Sequence, residues 1–343
     1  MTSARKDLEI VVYHIGGEDS YGPIESILQR MSKHVRLVIF DARTDTNDTQ
    51  TVDHMVQDGI PVSIVRVGIS DSVGKAAFYV NKWPLSSSLF PCSPLAANED
   101  PDYAHVHTWG ENAELDHVIQ VDTTTIDNLV AAGELPPPDV LSMDIQGAEL
   151  ATLHGAAKSL AEDILCVVAE VEFFEIYRGQ GLFDGQMSFL ADRGFRLFDL
   201  VNPQRWHPGP RIGRGFLTFS EAISLKCVKN IPKDDRGCVA FEGMSNERLI
   251  RLAAIAFSFD ALSYTVELLS VVRSRDSILY ESLRADEQYG PLVDLCDLSI
   301  RHRHDYLNDK DFLRNMIELR EGRFVLRMPP KSPTFLERLK GVR

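Results

Sequence analysis

Asp144 is the residue of this sequence whose type and position are best suited to chemistry. It follows an apolar run that begins at Val140, and Gly147 and Glu149 come shortly after it, where an amphipathic helix begins. Ligands of open α/β sheets bind at the carboxyl ends of the strands, so this carboxylate is placed where a ligand would lie. Asp144 could orient a hydroxyl group of a ligand, receive its proton or hold a metal ion, whereas Glu149 is better suited to complement its helix dipole.

Two further carboxylates alternate with apolar residues on the next predicted strand, Leu165–Phe173. Glu170 and Glu172 therefore point to one face near the end of that strand. Carboxylates that share a face raise each other's pKa, a condition suited to a general base, and we take Glu172 as a catalytic candidate. Ion pairs with Arg178 or Arg196 are the structural alternative. These acids would suit Mg²⁺, but without an H-x-H or D-x-D pair we predict no metal site.

A long polar stretch, residues 81–117, interrupts the pattern of strands and helices. A loop of this length inside a compact domain is usually functional, and we predict a mobile lid over an acceptor. His105 and His107 alternate within it, and His107 is a candidate base delivered by the lid, with solvated loop histidines as the alternative. The serines at 86–88 are expected to cap turns of the backbone.

Apolar runs of strand length alternate with segments of helical spacing from Leu8 to Phe219. This alternation predicts an α/β domain with a mostly parallel sheet and helices on both faces. The last two strands, Phe195–Val201 and Gly215–Phe219, have no helix between them, which predicts an antiparallel hairpin at one edge. A strand at Ala76–Val80 is expected to pair back as another hairpin.

The pattern changes after residue 243, where apolar residues recur at helical spacing over Leu249–Phe257 and Leu262–Val272. We therefore predict a sheet domain over residues 1–243, followed by a C-terminal helical appendage with a basic tail over residues 244–343. These C-terminal helices are the candidate surface for a homo-oligomer.

Composition narrows the class of partner. The 343 residues carry a formal net charge of -14, which argues against nucleic acid because phosphate binding needs a basic surface. Residues 301–343 differ from the rest of the chain in the sign of their charge, with 11 Lys+Arg against 6 Asp+Glu.

No apolar run reaches the roughly 20 residues that span a bilayer, and the polar amino terminus lacks a signal-peptide core, so we expect a cytoplasmic protein. The five cysteines are scattered without a C-x-x-C spacing and predict neither zinc nor disulfides.

Several segments, in their order and spacing, resemble the FkbM family of methyltransferases from about residue 60 to 225. They are Val67–Asp71, Val121–Asp127, Leu141–Leu150, Glu170–Phe173 and Tyr177–Gln180. The resemblance implies a Rossmann-like class I methyltransferase fold, whose sheet has seven strands with the last antiparallel. It also implies S-adenosylmethionine as methyl donor, and as acceptor a hydroxyl of a sugar, a glycan or a polyketide-like natural product such as a macrolide.

The resemblance further implies where the methionine part of the donor binds. A strand over Leu8–Ile15 ends at Gly16 and Gly17, and a glycine turn lets backbone amides approach a ligand closely. Glu18 or Asp19 would hold the amino group of this part of the donor. A plain strand-to-helix turn is the structural alternative.

Two aspartates are candidates for the nucleoside part of the donor. Asp41 ends the second predicted strand, Val35–Phe40, about 24 residues after Gly17, where nucleotide-binding α/β folds place an acid that accepts hydrogen bonds from ribose hydroxyls. A helix N-cap is the structural alternative for Asp41. Asp71 follows the third strand, Val62–Ile69, and is expected either near the adenine or in a turn.

Two functions remain open on the sequence alone. The first is an S-adenosylmethionine-dependent O-methyltransferase, in which Asp144, Glu172 or His107 is the base. The second is a binding or scaffolding protein that keeps the fold with a degenerate donor site. The donor turn motivates this second function, because His14 and Ser20 stand where the family usually has an aspartate and a glycine.

Overall fold

The computed structural model describes residues 8–16, 21–42, 59–101, 108–209, 212–229 and 239–301. It divides into two compact units, Met1–Phe259 and Asp260–Arg343. The described part of the first unit combines strands and helices, and the described part of the second is helical. The helix Asn246–Ser258 belongs to the first unit, whereas the predicted domain boundary precedes it; that boundary stays a prediction about which part folds independently.

Most of the strands among the described residues of the first unit belong to one large sheet. Its strands are β1 (Ile10–Ile15), β2 (Val35–Phe40), β3 (Val62–Val65), β6 (Asp100–Pro101), β8 (Val140–Met143), β9 (Cys166–Glu172), β10 (Phe195–His207) and β11 (Phe216–Lys226). They are ordered β3-β2-β1-β8-β9-β11-β10-β6. From β3 to β9 every pairing is parallel, and β11 is antiparallel to both β9 and β10.

This sheet confirms the predicted α/β fold, with seven strands of which the last in sequence is antiparallel to the others. The two-residue β6 adds an eighth strand at the edge, and it comes from the stretch that was expected to form a lid. The central strands are almost fully buried, because a parallel sheet is covered on both faces and its strands therefore read as continuous apolar runs.

A smaller sheet carries the inserted stretch. It consists of β4 (Gly68–Ile69), β5 (Gly74–Asn81) and β7 (Leu115–Thr124), in the order β4-β7-β5. The hairpin expected at Ala76–Val80 is not formed, because β7 lies between β4 and β5. β5 pairs antiparallel with β7 instead, so the polar segment between them begins and ends on a rigid ladder. The predicted third strand Val62–Ile69 is divided between the two sheets, because Val67 N–H donates to Val65 O (3.2 Å) in a tight turn.

The described helices of the first unit lie between or after the strands. They are α1 (Glu25–Arg30), α2 (Trp109–Asn112), α3 (Ile126–Ala132), α4 (Glu149–Gly155), α5 (Ala157–Glu162), α6 (Phe183–Ala191) and α7 (Asn246–Ser258). The second unit contains α8 (Leu262–Arg275), α9 (Ser277–Ser282) and α10 (Gly290–Arg301). None of the described helices is long and apolar enough to cross a membrane.

The predicted helix over 148–160 is broken into α4 and α5 at Ala156. Gly155 lies directly against the loop after β4, where a Cβ atom would stand 2.1 Å from the carbonyl oxygen of Ser70. The end of α4 therefore packs against this loop more closely than any residue with a side chain would allow. This contact holds α4 close to the edge of the smaller sheet at β4.

Candidate active site

A cavity of about 420 Å³ lies at the carboxyl ends of β1, β2, β8 and β9. Its volume falls within the range of roughly 300–1,000 Å³ that is usual for small-molecule sites. Gly16 follows β1, Asp41 follows β2, Asp144 follows β8 and Glu170 lies near the end of β9, and all four line the cavity. The structure thus places the cavity where open α/β sheets bind their ligands.

Gly16 is required where it stands because the backbone of the Asp144 loop passes directly beside it. Its φ is +138°, and a Cβ atom there would lie 2.3 Å from the carbonyl oxygen of Asp144. The Asp144 N–H in turn donates to Ile15 O (3.0 Å). The turn after β1 and the predicted catalytic loop therefore form one continuous wall of the cavity. Gly17 and Glu18, also predicted to bind the donor, lie outside the described residues.

The two nucleoside candidates lie in different environments. Asp41 is 6% exposed and lines the cavity, and its Oδ2 accepts a hydrogen bond from Arg66 Nη1 (3.0 Å). Asp71 is exposed, accepts a weak hydrogen bond from Ser70 Oγ (3.4 Å) and is not among the residues that line the cavity. The structure brings Asp41 to the site and leaves Asp71 in the turn after β4.

Asp144 is held by a chain of side-chain hydrogen bonds. Its Oδ1 accepts from Gln146 Nε2 (2.8 Å), and Gln146 Oε1 accepts from Tyr177 Oη (2.7 Å). Gln146 has a left-handed φ of +57°, a conformation that non-glycine residues seldom adopt. Asp144 is exposed to solvent at the cavity. Desolvation by the surrounding protein nevertheless raises the pKa of its carboxyl, and the hydrogen bond from Gln146 offsets part of that increase.

Glu170 reaches the cavity without any protein partner. Its side chain is partly buried, and no hydrogen bond or ion pair to its carboxylate is found within the described part of the chain. Glu221 lies directly across from it in the pairing of β9 with β11. Burial is the largest cause that raises the pKa of Glu170 well above its usual value, followed by the charges of Asp144 and Glu172.

Glu172, the predicted catalytic glutamate, is fully buried and does not line the cavity. Neither of its carboxylate oxygens has a hydrogen-bond partner among the described residues, and burial, then the charge of Glu149, raises its pKa well above the usual value. The alternative ion pairs of these glutamates with Arg178 or Arg196 are not formed in the described structure. Glu170, and not Glu172, is therefore the member of the pair that can contact a ligand.

Glu149 has a structural role, as its place in the first turn of α4 indicated. Its Oε1 accepts a hydrogen bond from the backbone N–H of Ile145 (2.9 Å), so it closes the loop that carries Asp144. Burial is the main cause that raises its pKa to about 7, and the charge of Asp144 adds to it.

The predicted lid forms one side of the cavity. Trp83, Pro84, Leu85, Ser87 and Leu89 line it, and their segment is attached to the rest of the unit at several points. A short 3₁₀ turn spans Pro84–Ser86, closed by a hydrogen bond from Ser86 Oγ to Trp83 O (2.8 Å). The motion of this segment stays a prediction, and His105 and His107 lie outside the described residues.

Ser88 connects the lid to the catalytic loop. Its Oγ donates to the carbonyl oxygen of Gln146 (2.7 Å), and its backbone pairs with Tyr79 of β5. The serines at 86 and 88 do bond to backbone groups, as expected for turn residues, but the bond from Ser88 also ties the lid to the loop that positions Asp144.

An aromatic wall is the feature that sequence reasoning missed. The three tryptophans of the chain, Trp83, Trp109 and Trp206, all line the cavity, together with Tyr177 and Phe219. Trp83 meets Trp109 edge to face at 6.2 Å, and Trp109 lies 4.9 Å from Trp206. Trp83 and Trp109 come from the two ends of the predicted lid and Trp206 comes from β10, so no periodicity relates them. Their rarity was the one available signal.

No group of three or more histidine, cysteine or acidic side chains within the described residues is arranged to hold a metal ion. The carboxylates at the cavity are spread along its wall instead, with Asp41 beside β2 and the pair of Asp144 and Glu170 beside β8 and β9. Their arrangement suits contacts with different parts of one elongated ligand.

The sequence matches a known protein family. Residues 11–197, more than half of the chain, match the family described as Methyltransferase FkbM domain. Among solved structures, Methyltransferase FkbM from Methylobacillus flagellatus KT is similar, with 12% sequence identity and a TM-score of 0.33. The alignment covers 63% of this chain and 44% of that one, so this chain spans less than half the length of that relative. No curated protein matches.

Proposed function

The chain belongs to the FkbM methyltransferase family, and we propose that it transfers the methyl group of S-adenosylmethionine to a hydroxyl of a sugar, a glycan or a polyketide-like natural product. The observation that carries this proposal is the cavity itself. Gly16 and Asp41 line it beside β1 and β2, and Asp144 and Glu170 line it beside the aromatic wall. A donor and an acceptor can therefore lie side by side in one cavity.

The residues at the first part of the cavity fit the donor. Gly16 lines the cavity at the end of β1, and because it has no Cβ atom the Asp144 carbonyl can pack against it and complete the wall there. Asp41 supplies a carboxylate at the end of β2, the position from which α/β nucleotide sites bind ribose hydroxyls.

The charge of the second part of the cavity also fits this donor. The charged groups that shift the pKa of Glu170 are all carboxylates, and Glu149 contributes to the same acidic environment. Such an environment favours a ligand with a positive charge. When bound, S-adenosylmethionine supplies a methyl group that is already activated by a positively charged sulfur.

The aromatic wall is suited to the acceptor. Trp83 is partly exposed and is supported from behind by Trp109, so it offers a rigid apolar face at the cavity. Large aromatic side chains bind the apolar faces of ligands at little cost in conformational entropy. An acceptor that lies against this wall would present its hydroxyl to Asp144 and Glu170.

The protein's own contribution to the reaction is then mainly alignment. Asp144, fixed by Gln146, orients the acceptor hydroxyl, and the lid and the aromatic wall exclude water from the cavity. Holding two reactants in a near-attack geometry contributes roughly 7–11 kcal/mol in favourable cases, so a methyl group that is already activated needs little further catalysis beyond removal of a proton.

The test is methyl transfer itself. Purified protein is incubated with S-adenosylmethionine and a panel of sugars, glycans and hydroxylated polyketides, and products are followed by mass spectrometry. We expect a methylated acceptor, and a parallel reaction without protein controls for spontaneous methylation. The panel also contains amines and carboxylates, and a protein that binds the donor but methylates only these would contradict the proposed O-methylation.

A further inference from the structure

We infer that Glu170 exchanges its proton for the positive charge of the donor: its carboxyl releases a proton when the donor binds and takes up the acceptor's proton during methyl transfer. This inference rests on the proposed function. It assigns to Glu170 the role of general base and, in addition, makes donor binding an ion-exchange event that distinguishes donor from product.

The position of Glu170 carries the inference. It is the one carboxylate of the β9 pair that lines the cavity, and no hydrogen bond or ion pair holds it in the described structure. By contrast, Asp144 is fixed by Gln146 and Asp41 by Arg66. A group that must gain and lose a proton in each cycle has to be accessible to the ligands and free of a permanent ionic partner.

The charged groups that act on Glu170 are acidic. They are Asp144 in the loop after β8, Glu172 on its own strand, Glu149 on α4 and Glu221 directly opposite on β11. Tyr177 adds a phenol whose own pKa burial raises well above its usual value. Carboxylates crowded in this way cannot all ionise, so protons are retained by the group until a positive charge arrives.

The structure singles out Glu170 as the group that responds. The neighbouring Glu149 cannot meet the donor directly, because it is fully buried and bonded to the backbone of Ile145. Glu172 is sealed from the cavity. Burial and the charges of the neighbouring carboxylates raise the pKa of Glu170 well above its usual value, which favours the protonated carboxyl in the free protein.

The charges and atoms balance over one cycle. Glu170 loses its proton to solvent as the sulfonium group binds, which leaves a carboxylate beside a positive sulfur. During transfer, the bond between the acceptor oxygen and the methyl carbon forms while the bond between sulfur and that carbon breaks, and the electron pair stays on sulfur. The hydroxyl proton passes to the Glu170 carboxylate. The cavity then holds a neutral acid and a neutral thioether, which removes the attraction that held the donor.

The experiment compares S-adenosylmethionine with S-adenosylhomocysteine, which lacks only the methyl group and the positive charge on sulfur. Each is titrated without acceptor into the full-length protein at pH 7, by calorimetry in two buffers with different heats of ionisation. We expect S-adenosylmethionine to release about half a proton to one proton more than S-adenosylhomocysteine. At pH values below the pKa of Glu170 in the free protein, the affinity for S-adenosylmethionine should rise with pH, by up to about tenfold per pH unit, relative to that for S-adenosylhomocysteine.

Two variants locate the proton. Glu170→Gln removes the titrating carboxyl at nearly constant volume and should abolish the difference in proton release between the two ligands. Glu175→Gln is the matched control, because Glu175 lies just beyond β9, is bonded to Ser93 Oγ (2.6 Å) and does not line the cavity. This control should release protons as the parent does.

The outcomes separate the two proposals. Binding of both ligands with equal proton release in the parent overturns the inference and leaves the proposed function standing. A Glu170→Gln protein that still releases the extra proton also overturns it, since another carboxyl would then be the exchanging group. If neither ligand binds the parent, the proposed function fails and the inference fails with it.

Discussion

Asp144 owes its orientation to Gln146, and Gln146 owes its own orientation to two further contacts. Tyr177 Oη donates to its amide oxygen (2.7 Å), and Ser88 Oγ donates to its carbonyl oxygen (2.7 Å). A left-handed conformation destabilises the folded protein by on the order of 1–3 kcal/mol at a residue other than glycine, and such strain often occurs at functional sites. The geometry of the catalytic loop therefore depends on the lid and on the loop after β9.

Replacing Asp144 by Asn tests whether its charge serves catalysis. The amide oxygen of Asn can still accept from Gln146 Nε2, so we expect the fold and the binding of S-adenosylhomocysteine to survive. Methyl transfer should fall about a hundredfold, because the acceptor hydroxyl loses the carboxylate contact that orients it. A variant with the parental rate, measured with an acceptor that the parent methylates, would show that Glu170 acts without Asp144.

Glu149 predicts a dependence of stability on pH. Its pKa is raised to about 7 in the folded protein, above the value of roughly 4.3 in an unfolded chain. The folded state therefore binds the proton more tightly, and this contribution is fully present below about pH 4 and is lost as the pH rises towards 7. The free energy of unfolding should decrease over that window.

Glu149→Gln isolates this contribution. The glutamine oxygen can still accept from Ile145 N–H, and at pH 8 the variant should be more stable than the parent by about 1–3 kcal/mol. Urea unfolding at pH 5, 6, 7 and 8 measures the difference, and the exposed Glu134→Gln is the control. A Glu149→Gln protein whose unfolding free energy follows the parental curve would place the proton elsewhere.

At the level of single residues, the sequence predicted the right carboxylates but not their access to the site. Alternation along β9 places Glu170 and Glu172 on one face, and it contains no information about where the cavity ends. That limit is set by the lid and by β11, which are distant in sequence. The sequence did not predict the aromatic wall for the same reason, because Trp83 and Trp109 from the two ends of the lid meet Trp206 from a distant strand.

At the level of elements, hydrophobic periodicity predicted the order of strands and helices because each element has its own buried face. It failed where a tertiary contact divides an element. The predicted third strand is split between two sheets, with Val62–Val65 in one and Gly68–Ile69 in the other. The turn between these two strands does not interrupt the pattern of apolar residues and could not be predicted from it. The break between α4 and α5 was likewise hidden, although Gly155 stands beside it.

The turn after β1 is the element on which the donor site depends most. Gly16→Ala would combine an unfavourable positive φ with a Cβ atom 2.3 Å from the Asp144 carbonyl. Since the contact is with backbone, one of the two loops must move. We expect the unfolding free energy to fall by about 2–4 kcal/mol and binding of S-adenosylhomocysteine to weaken by at least tenfold.

A substitution at a second glycine distinguishes the cost of backbone strain from the cost of the steric clash at Gly16. Gly133 ends α3 with a φ of +70°, and a Cβ atom added to it would meet no atom within 4 Å. Gly133→Ala should therefore cost only about 1 kcal/mol, the strain of the left-handed conformation. Donor binding should be unaffected. If Gly16→Ala behaves like Gly133→Ala in both chemical unfolding and calorimetry, the close approach of the two loops is not important for the site.

At the level of the whole molecule, α7 belongs with the sheet. Leu249, Ile250 and Leu252 on this helix are fully buried. Arg251 Nε forms an ion pair with Asp139 (2.9 Å), and Asp139 Oδ2 also accepts from Val11 N–H of β1 (3.0 Å). The helix that the sequence assigned to the appendage is therefore bonded to the loop before β8 and, through it, to the first strand.

Two truncations test where the folded domain ends. A chain that stops after residue 259 keeps α7, and we expect it to unfold cooperatively. A chain that stops after residue 243 loses several buried aliphatic side chains, each worth roughly 1.5–3 kcal/mol, out of a total stability of about 5–15 kcal/mol. It should be largely unfolded by circular dichroism. Equal stability of the two chains would support the boundary near 243 instead.

The central claim, that this cavity binds the methyl donor, is tested most directly by titrating S-adenosylhomocysteine into the parent, Asp41→Ala and Asp71→Ala proteins by calorimetry. We predict one site per chain in the parent and about tenfold to hundredfold weaker binding in Asp41→Ala, because a charged hydrogen-bond partner contributes roughly 1.5–3 kcal/mol. Asp71→Ala, altered at an exposed turn, should bind as the parent does. No binding to the folded parent, or equal binding to all three proteins, would contradict the account.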